Sequence, residues 1–308
     1  MIFNFYLAHH SKNALNVIGD GLDPIYRGLE ALGHDVVGFA TGLQAAPSVN
    51  VFPEFFEGDS FVNSLLAAKA AQGAQFPLGL LCTEDLGGSL AVSDSDQPRR
   101  QTNLRRLLPM ADFVWTTLPL VPAYEAVSGP GKVVQLDYGW AEDCKPAAPP
   151  ITNPQLRDMD VYFYGSDTPY RNAVADELRR QGLSVFIGRQ EFFPSYAADD
   201  VCRRTKVILA MRADATDRFL APAGIVKGLH FGIAVVAERV EGLSSLYDYT
   251  QAAEPASLAQ RVVEVIRSGR FVELGLEAQS RFRAAPSMRD CLARALALPA
   301  FRAWDRPA

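Results

Sequence analysis

Between residues 206 and 238 the sequence alternates between apolar and amphipathic segments, and this alternation constrains the fold more than any other feature. Residues 206–211 (KVILAM) form a short apolar run of strand type, and residues 233–237 (IAVVA) form a second one. Residues 218–231 have helical spacing and end at Gly232, a typical helix stop. Strand, helix and strand in this order predict a parallel α/β unit, whose ligands gather where the first strand ends.

Similar short apolar strands and helices fill the chain on both sides of residues 141–156, a segment that contains four prolines. Such a proline-rich segment between two alternating series is typical of an interdomain linker. We therefore predict an α/β protein with a first domain at residues 1–140 and a second at residues 157–308. The last helix, at residues 287–298, is expected to pack back on the first domain.

The boundaries of three further segments are also predicted. Residues 9–16 have the composition of a polar loop, and residues 22–32 that of an amphipathic helix. Residues 87–97 are rich in Gly, Ser and Asp, which favours a mobile loop.

The composition restricts the class of protein. Of the 308 residues, 48% are hydrophobic, which is enough for sizeable cores, and the net charge of −5 disfavours nucleic acid as the main partner. Cys82, Cys144, Cys202 and Cys291 form no CxxC pair and are interpreted as free thiols in a reducing compartment. The first residues lack the features of a signal peptide, and no run approaches 18 apolar residues. The expected location is cytoplasmic, with no integral membrane segment.

Stretches in both predicted domains and in the linker resemble glycosyltransferases of the GT-B type, nearest to the bacterial family-four and spore-maturation kinds. They are GLEALGHDVVGF (residues 28–39), VVQLDYGWAEDCKP (133–146), VYFYGSDTPYRNAVADEL (161–178) and KGLHFGIAVVAE (227–238). The resemblance implies two Rossmann-like domains that face each other across a cleft. It also implies that a nucleotide-diphosphate sugar binds the second domain as donor substrate and that the acceptor binds the first.

The sequence departs from this family at two positions. Many GT-B enzymes hold the donor with two glutamates at the ends of the helix that precedes the last apolar strand of this unit. Alignment on KGLHFGIAVV places Phe219 and Lys227 at those positions. A lysine can bind phosphate, whereas a glutamate binds ribose hydroxyls, so the resemblance supports the fold better than a particular donor.

The candidate donor site lies where the second domain's strands end. Gly165 and Ser166 follow a strand and precede a helix, so their backbone N–H groups could approach a pyrophosphate. The alternative is an ordinary tight turn before a capped helix. Asp214 could bind donor hydroxyls or cap a helix. The candidate diphosphate-binding cations, each of which could instead be a solvated surface charge, are Arg171, Arg189, Arg212 and Lys227.

A catalytic base is expected on the first domain. His9 follows the first strand, and the ordinary histidine pKa, about 6.5, suits proton transfer at neutral pH. Glu84 and Asp85 follow another apolar strand and are the rival bases. The alternative for His9 is an ordinary loop histidine, and His230 is interpreted as structural.

No metal site and no cofactor are expected. The sequence contains no HExxH, Walker, GxSxG or GxGxxG pattern, which disfavours metalloproteases, P-loop enzymes and dehydrogenases. Asp94 and Asp96 form a faint DxD pattern that we interpret as solvated.

The leading functional hypothesis is a metal-independent glycosyltransferase whose acceptor is a saccharide, a small molecule or a protein. One alternative is a non-catalytic relative that binds a sugar, a nucleotide or a partner protein, which the missing glutamates favour. Another is a sugar-nucleotide epimerase or hydrolase, which needs acids in the cleft such as Glu84 or Glu238.

Overall fold

A computed structural model describes residues 1–8, 12–83, 85–86, 97–146, 148–165, 167–188, 195–240 and 245–304. Within these residues the chain forms two parallel β-sheets with helices packed around them. No helix in the described ranges is both long enough and apolar enough to cross a membrane.

The first sheet contains six strands, all in parallel register. They are β1 (Ile2–Tyr6), β2 (Asp35–Ala40), β3 (Ser48–Pro53), β4 (Leu78–Cys82), β5 (Phe113–Thr116) and β6 (Val133–Gln135). β3, β4 and β5 are buried along their whole length because helices cover both faces of the sheet. The order β2-β1-β3-β4-β5-β6 reverses direction between β1 and β3, which makes this point a crevice for ligands.

The second sheet contains five parallel strands. They are β7 (Met159–Tyr164), β8 (Val185–Gly188), β9 (Thr205–Ala210), β10 (Ala234–Glu238) and β11 (Gln251–Ala253). The order β11-β10-β9-β7-β8 reverses between β7 and β9. The segments that follow β7 and β9 therefore flank the second crevice.

The helices of the described residues alternate with the strands and then close the chain. They are α1 (Lys12–Ala31), α2 (Asp59–Gln72), α3 (Gln97–Leu107), α4 (Val121–Ser128), α5 (Pro169–Arg180), α6 (Ser195–Arg204), α7 (Ala223–Phe231), α8 (Leu258–Arg267), α9 (Phe271–Ala284), α10 (Met288–Ala295) and α11 (Pro299–Trp304). The α/β architecture predicted from the alternating pattern is confirmed.

Three helix boundaries differ from the predictions. α1 begins at Lys12, so much of the predicted polar loop at residues 9–16 is helical instead. α7 begins at Ala223, five residues later than predicted, because the preceding residues form a loop that ends at Pro222. The single helix predicted at residues 287–298 is shorter and is followed by a separate helix that starts at a proline.

The end of α7 agrees with its prediction. Gly232 is its C-cap and has φ 65°, in the left-handed region that glycine adopts without steric cost.

The last helices return to the first domain. Phe301 of α11 lies 4.5 Å from Phe113 and 5.9 Å from Trp115 between ring centroids. On α1, a Cβ added to Gly28 would lie 2.4 Å from Leu292 of α10, so the two helices need glycine there. One apolar cluster therefore includes side chains from both sheets.

His230 on α7 fastens the segment after β6 to the second domain. Its imidazole Nε2 accepts a hydrogen bond from the Ala141 N–H at 3.1 Å, and its Nδ1 lies 2.9 Å from the Val226 carbonyl oxygen. The ring stacks on Trp140 at 4.7 Å. An Nε2 that accepts from a backbone N–H holds no proton, so this geometry requires the neutral ring with its proton on Nδ1. Burial lowers the pKa of His230.

This geometry predicts acid sensitivity. Because the folded-state pKa lies below the unfolded value of about 6.5, His230 stabilises the fold above that pH and loses its contribution as pH falls. The wild-type free energy of unfolding should decrease by up to about 1.4 kcal/mol per pH unit below pH 6.5 from this group. His230→Gln should be less stable at pH 7.5 and should lack this component of the slope. Denaturant unfolding at pH 7.5 and 5.5 measures how the free energy of unfolding of each protein changes with pH. The same pH dependence in wild type and His230→Gln would contradict the prediction.

Candidate active site

Gly165 and Arg171 meet at the crevice of the second sheet. Gly165 follows β7 with φ 131°, and a Cβ added there would lie 2.4 Å from Nη1 of Arg171. The Arg171 guanidinium is buried and donates to the carbonyl oxygens of Met211 at 2.8 Å and Arg212 at 2.9 Å. Burial lowers its pKa to about 10. Arg171 thus holds the end of β9 against the start of α5, and its donor-binding role stays a prediction.

Arg212 forms a buried ion pair with Glu238 at the ends of β9 and β10. Its Nη2 and Nε donate to Glu238 Oε1 at 2.7 and 3.1 Å, and its backbone N–H donates to Oε2 at 2.8 Å. Nη1 donates to the carbonyl oxygens of Asp217 and Ala215. These bonds to Glu238 raise the pKa of Arg212. Protein groups therefore engage this guanidinium extensively, and Tyr170 is a further hydrogen-bond partner of Arg212.

Tyr170 on α5 is a third member of this group, since its hydroxyl donates a hydrogen bond to Glu238 Oε1. Burial, and then the Glu238 carboxylate, raise the pKa of Tyr170 to about 12. Glu238 is fully buried, with an exposure of 0%. This acid, which the epimerase alternative needs in the cleft, is thus occupied by Arg212 and Tyr170.

Asp214 is at the surface of a tight turn. Its Oδ1 accepts from the N–H of Thr216 at 2.9 Å and from the Thr216 hydroxyl at 2.7 Å, and these bonds lower its pKa. Asp217 closes the turn by accepting from the Asp214 N–H at 2.8 Å. Asp214 caps this turn rather than a helix, and its interaction with donor hydroxyls stays a prediction.

Lys227 links the two domains. Its Nζ lies 3.3 Å from an Asp20 carboxylate oxygen on α1 and 3.8 Å from Asp199 on α6. Burial acts to lower the pKa of Lys227, but Asp20, Cys202 and Asp199 together raise it above its ordinary value. The lysine that the sequence resemblance aligns with the second glutamate therefore forms an interdomain ion pair.

Acidic residues follow two strands of the first sheet. Glu54, directly after β3, is buried and accepts from the Thr83 N–H and hydroxyl, both at 2.7 Å. Asp85, three residues after β4, lies 3.7 Å from Nη1 of Arg218 in the second domain. This ion pair therefore joins the segment after β4 to the segment between β9 and α7.

Several predicted residues lie outside the described ranges. They are His9, Glu84, Ser166 and Arg189, and their roles stay predictions. Asp94 and Asp96 also lie there. In the described ranges, no group of three or more His, Cys, Asp or Glu side chains is arranged to hold a metal ion.

The structure also brings forward residues that are not among the predicted site residues. The position of Glu54 could have been predicted from the sequence, because this residue directly follows an apolar stretch. The roles of Tyr170 and Phe219 could not have been predicted in this way, because their partners lie far away in the sequence. Phe219, at the family's first glutamate position, is 3% exposed and packs among side chains of the first domain.

No model of a protein family matches this sequence, and no curated protein matches it. Among solved structures, the chain is similar to an alpha-glucosyltransferase in complex with UDP and a 13-mer DNA containing an HMU base. The TM-score is 0.62 at 8% sequence identity, and the match covers 96% of this chain and 98% of that one. It is also similar to the trehalose-6-phosphate protein from E. coli bound with UDP-2-fluoro glucose, with a TM-score of 0.51 at 11% identity over 96% of this chain and 99% of that one.

A third similar structure is TarM, with a TM-score of 0.52 at 8% identity. The match covers 90% of this chain but 57% of TarM, so this chain spans little more than half of that protein. Together, the two parallel sheets, the paired crevices and these similarities show that the chain has the GT-B fold expected from the sequence.

Proposed function

We propose that this protein is a glycosyltransferase that moves a sugar from a nucleotide-diphosphate donor to an acceptor. The observation that carries the proposal is the crevice between β7 and β9, where a glycine turn meets the amino end of α5. In open α/β sheets this position binds nucleotides, because backbone N–H groups and the helix dipole favour a pyrophosphate. Two of the similar structures contain UDP or a UDP sugar, which supports the proposal and makes UDP the first nucleotide to test.

The donor-binding set follows from the contacts of the second domain. Arg171 and Lys227 are engaged by protein groups, and Arg212, although paired with Glu238, directly follows β9 and keeps 14% of its side chain exposed. We propose that Gly165 and the backbone around Ser166 bind the diphosphate, with Arg212 and Arg189 as its cations. These groups would stabilise the charge that develops on the leaving diphosphate, so transfer is proposed to need no metal ion or cofactor.

Gly165→Ala tests the donor site, and Gly182→Ala is its matched control. Both glycines have positive φ, at 131° and 85°, but an added Cβ meets Arg171 only at Gly165 and meets nothing within 4 Å at Gly182. UDP at 100 times its Kd should stabilise the wild type and Gly182→Ala by about 2.7 kcal/mol and Gly165→Ala by much less.

The measurement is thermal or denaturant unfolding with and without UDP, UDP-glucose, GDP and ADP. Stabilisation of the two variants by the same amount would remove Gly165 from the site. If no nucleotide stabilised the wild type, the nucleotide-sugar proposal would be wrong. Product formation in EDTA tests metal independence.

The acceptor is proposed to bind the first domain near the ends of β3 and β4, where Glu54, Thr83 and Asp85 lie. The net charge predicts no nucleic-acid partner, whereas one similar structure contains DNA. An acceptor panel should therefore include saccharides, small molecules, proteins and a DNA oligonucleotide.

A non-catalytic binding protein is the second candidate. The positions of the two family glutamates hold Phe219 and Lys227, and both side chains make interdomain contacts instead. Nucleotide binding with neither donor hydrolysis nor transfer across the acceptor panel would favour this candidate.

A further inference from the structure

Residues 212–222 run from the end of β9 in the second domain to the start of α7, and we call them the strap. Five hydrogen bonds to second-domain groups hold its first residues. The Arg212 backbone and side chain bond to Glu238, the Arg212 carbonyl accepts from Arg171, and the Ala213 carbonyl accepts from the Thr168 hydroxyl at 2.6 Å. This end of the strap therefore moves with the second sheet.

The middle of the strap is a closed turn. The Asp217 carboxylate and backbone N–H each bond to Asp214, and the Asp217 carbonyl accepts from Arg212 at 2.6 Å. Asp217 is 4% exposed. Because the turn is cross-linked internally, a displacement of Arg212 passes to the residues that follow.

The far end of the strap enters the first domain. Phe219 belongs to an apolar cluster whose other members lie between residues 52 and 133, including Phe56 and Leu86. The preceding residue, Arg218, pairs with Asp85 at 3.7 Å. Leu86, which follows Asp85 in the sequence, belongs to the same apolar cluster as Phe219.

We propose that the strap positions Asp85 at the cleft, with Arg218 and Phe219 as the positioning residues and the Arg212–Glu238 pair as their anchor. This inference rests on the proposed function for its catalytic consequence. It also gives a physical reason for the missing family glutamate, since a carboxylate at position 219 would be buried in an apolar cluster at a high desolvation cost.

The catalytic consequence follows from geometry. Asp85 lies on the acceptor side, so a strap that no longer holds it should slow transfer without weakening donor binding. A misplacement of about 1 Å in a reacting group can cost about 100-fold in rate. The strap starts at the crevice proposed for the donor, and its far end contacts Asp85.

Arg218→Gln tests the proposal, with Arg239→Gln as the matched control. The two arginines have similar exposure, 58% for Arg218 and 56% for Arg239. Arg218 pairs across the domains with Asp85, whose side chain is 8% exposed, whereas Arg239 pairs with the exposed Glu254 within the second domain. Arg218→Gln and Phe219→Ala should lower kcat about 10- to 100-fold with donor Kd unchanged. Arg218→Lys, which keeps the charge, should recover part of the rate.

Amide hydrogen exchange provides the readout that needs no activity. Exchange at residues 85–86 should rise in Arg218→Gln and Phe219→Ala and stay at the wild-type level in Arg239→Gln. Unchanged exchange at residues 85–86 in both strap variants would overturn the inference, and so would a kcat of Arg218→Gln equal to that of Arg239→Gln. If no donor were transferred but exchange rose, the proposed function would fail while the structural role of the strap would stand.

Discussion

Arg212→Ala is expected to lower the free energy of unfolding by about 3–5 kcal/mol, the typical cost of removing one partner from a buried ion pair. Glu238 has an exposure of 0%, and among the described residues its carboxylate would keep the Tyr170 hydroxyl and the backbone N–H of residue 212 as hydrogen-bond donors. The Ala215 and Asp217 carbonyl oxygens would also lose their guanidinium donor. Denaturant unfolding measures the effect.

A surface pair and a double variant serve as controls for this prediction. Arg239→Ala removes an exposed ion pair with Glu254 and should change stability by about 0–1 kcal/mol. Combining Arg212→Met with Glu238→Gln removes the buried charge as well and should recover part of the loss. A cost for Arg212→Ala no greater than that for Arg239→Ala would show that the buried pair contributes little. Equal UDP affinity in Arg212→Ala and wild type would remove Arg212 from the proposed donor site.

His9→Ala is expected to lower turnover by about 100-fold or more with little change in donor affinity, if His9 is the base of an inverting transfer. The reason is that proton transfer contributes only on the way to the transition state. Steady-state kinetics and calorimetry with the donor measure the two quantities. His34→Ala is the control, because His34 lies just before β2, at the amino end of that strand, with its ring 5.3 Å from Phe3.

Other outcomes of the His9 experiment assign the role elsewhere. Loss of donor affinity would make His9 a binding or structural residue. Unchanged turnover would pass the role to Asp85 or Glu84, and Asp85→Asn would then be the next variant. A product that retains the anomeric configuration of the donor would contradict the single inverting displacement on which the role of His9 rests.

Local patterns were sufficient to predict the α/β elements. Runs such as residues 206–211 and 233–237 are apolar because both faces of their sheet are covered, and Gly232 ends α7 because a left-handed C-cap suits glycine. Similar reasoning placed Gly165, Arg212 and Asp85 just beyond strand ends. The partners of these residues could not be predicted in this way. Glu238 lies 26 residues from Arg212, and only the parallel pairing of β9 with β10 brings them together.

The amino-acid sequence by itself determined the periodicity of the segments, their order and hence the two parallel sheets, because backbone preferences and the burial of apolar faces act within each segment. The tertiary structure decided which partners the charged groups have. Arg171 and Lys227 have the sequence context of phosphate-binding cations, yet one holds backbone carbonyls and the other pairs with Asp20 across the domains. Phe219, where the resemblance would place an acid, is buried among side chains of the first domain. Desolvation makes each of these contacts obligatory, and desolvation depends on packing between distant segments.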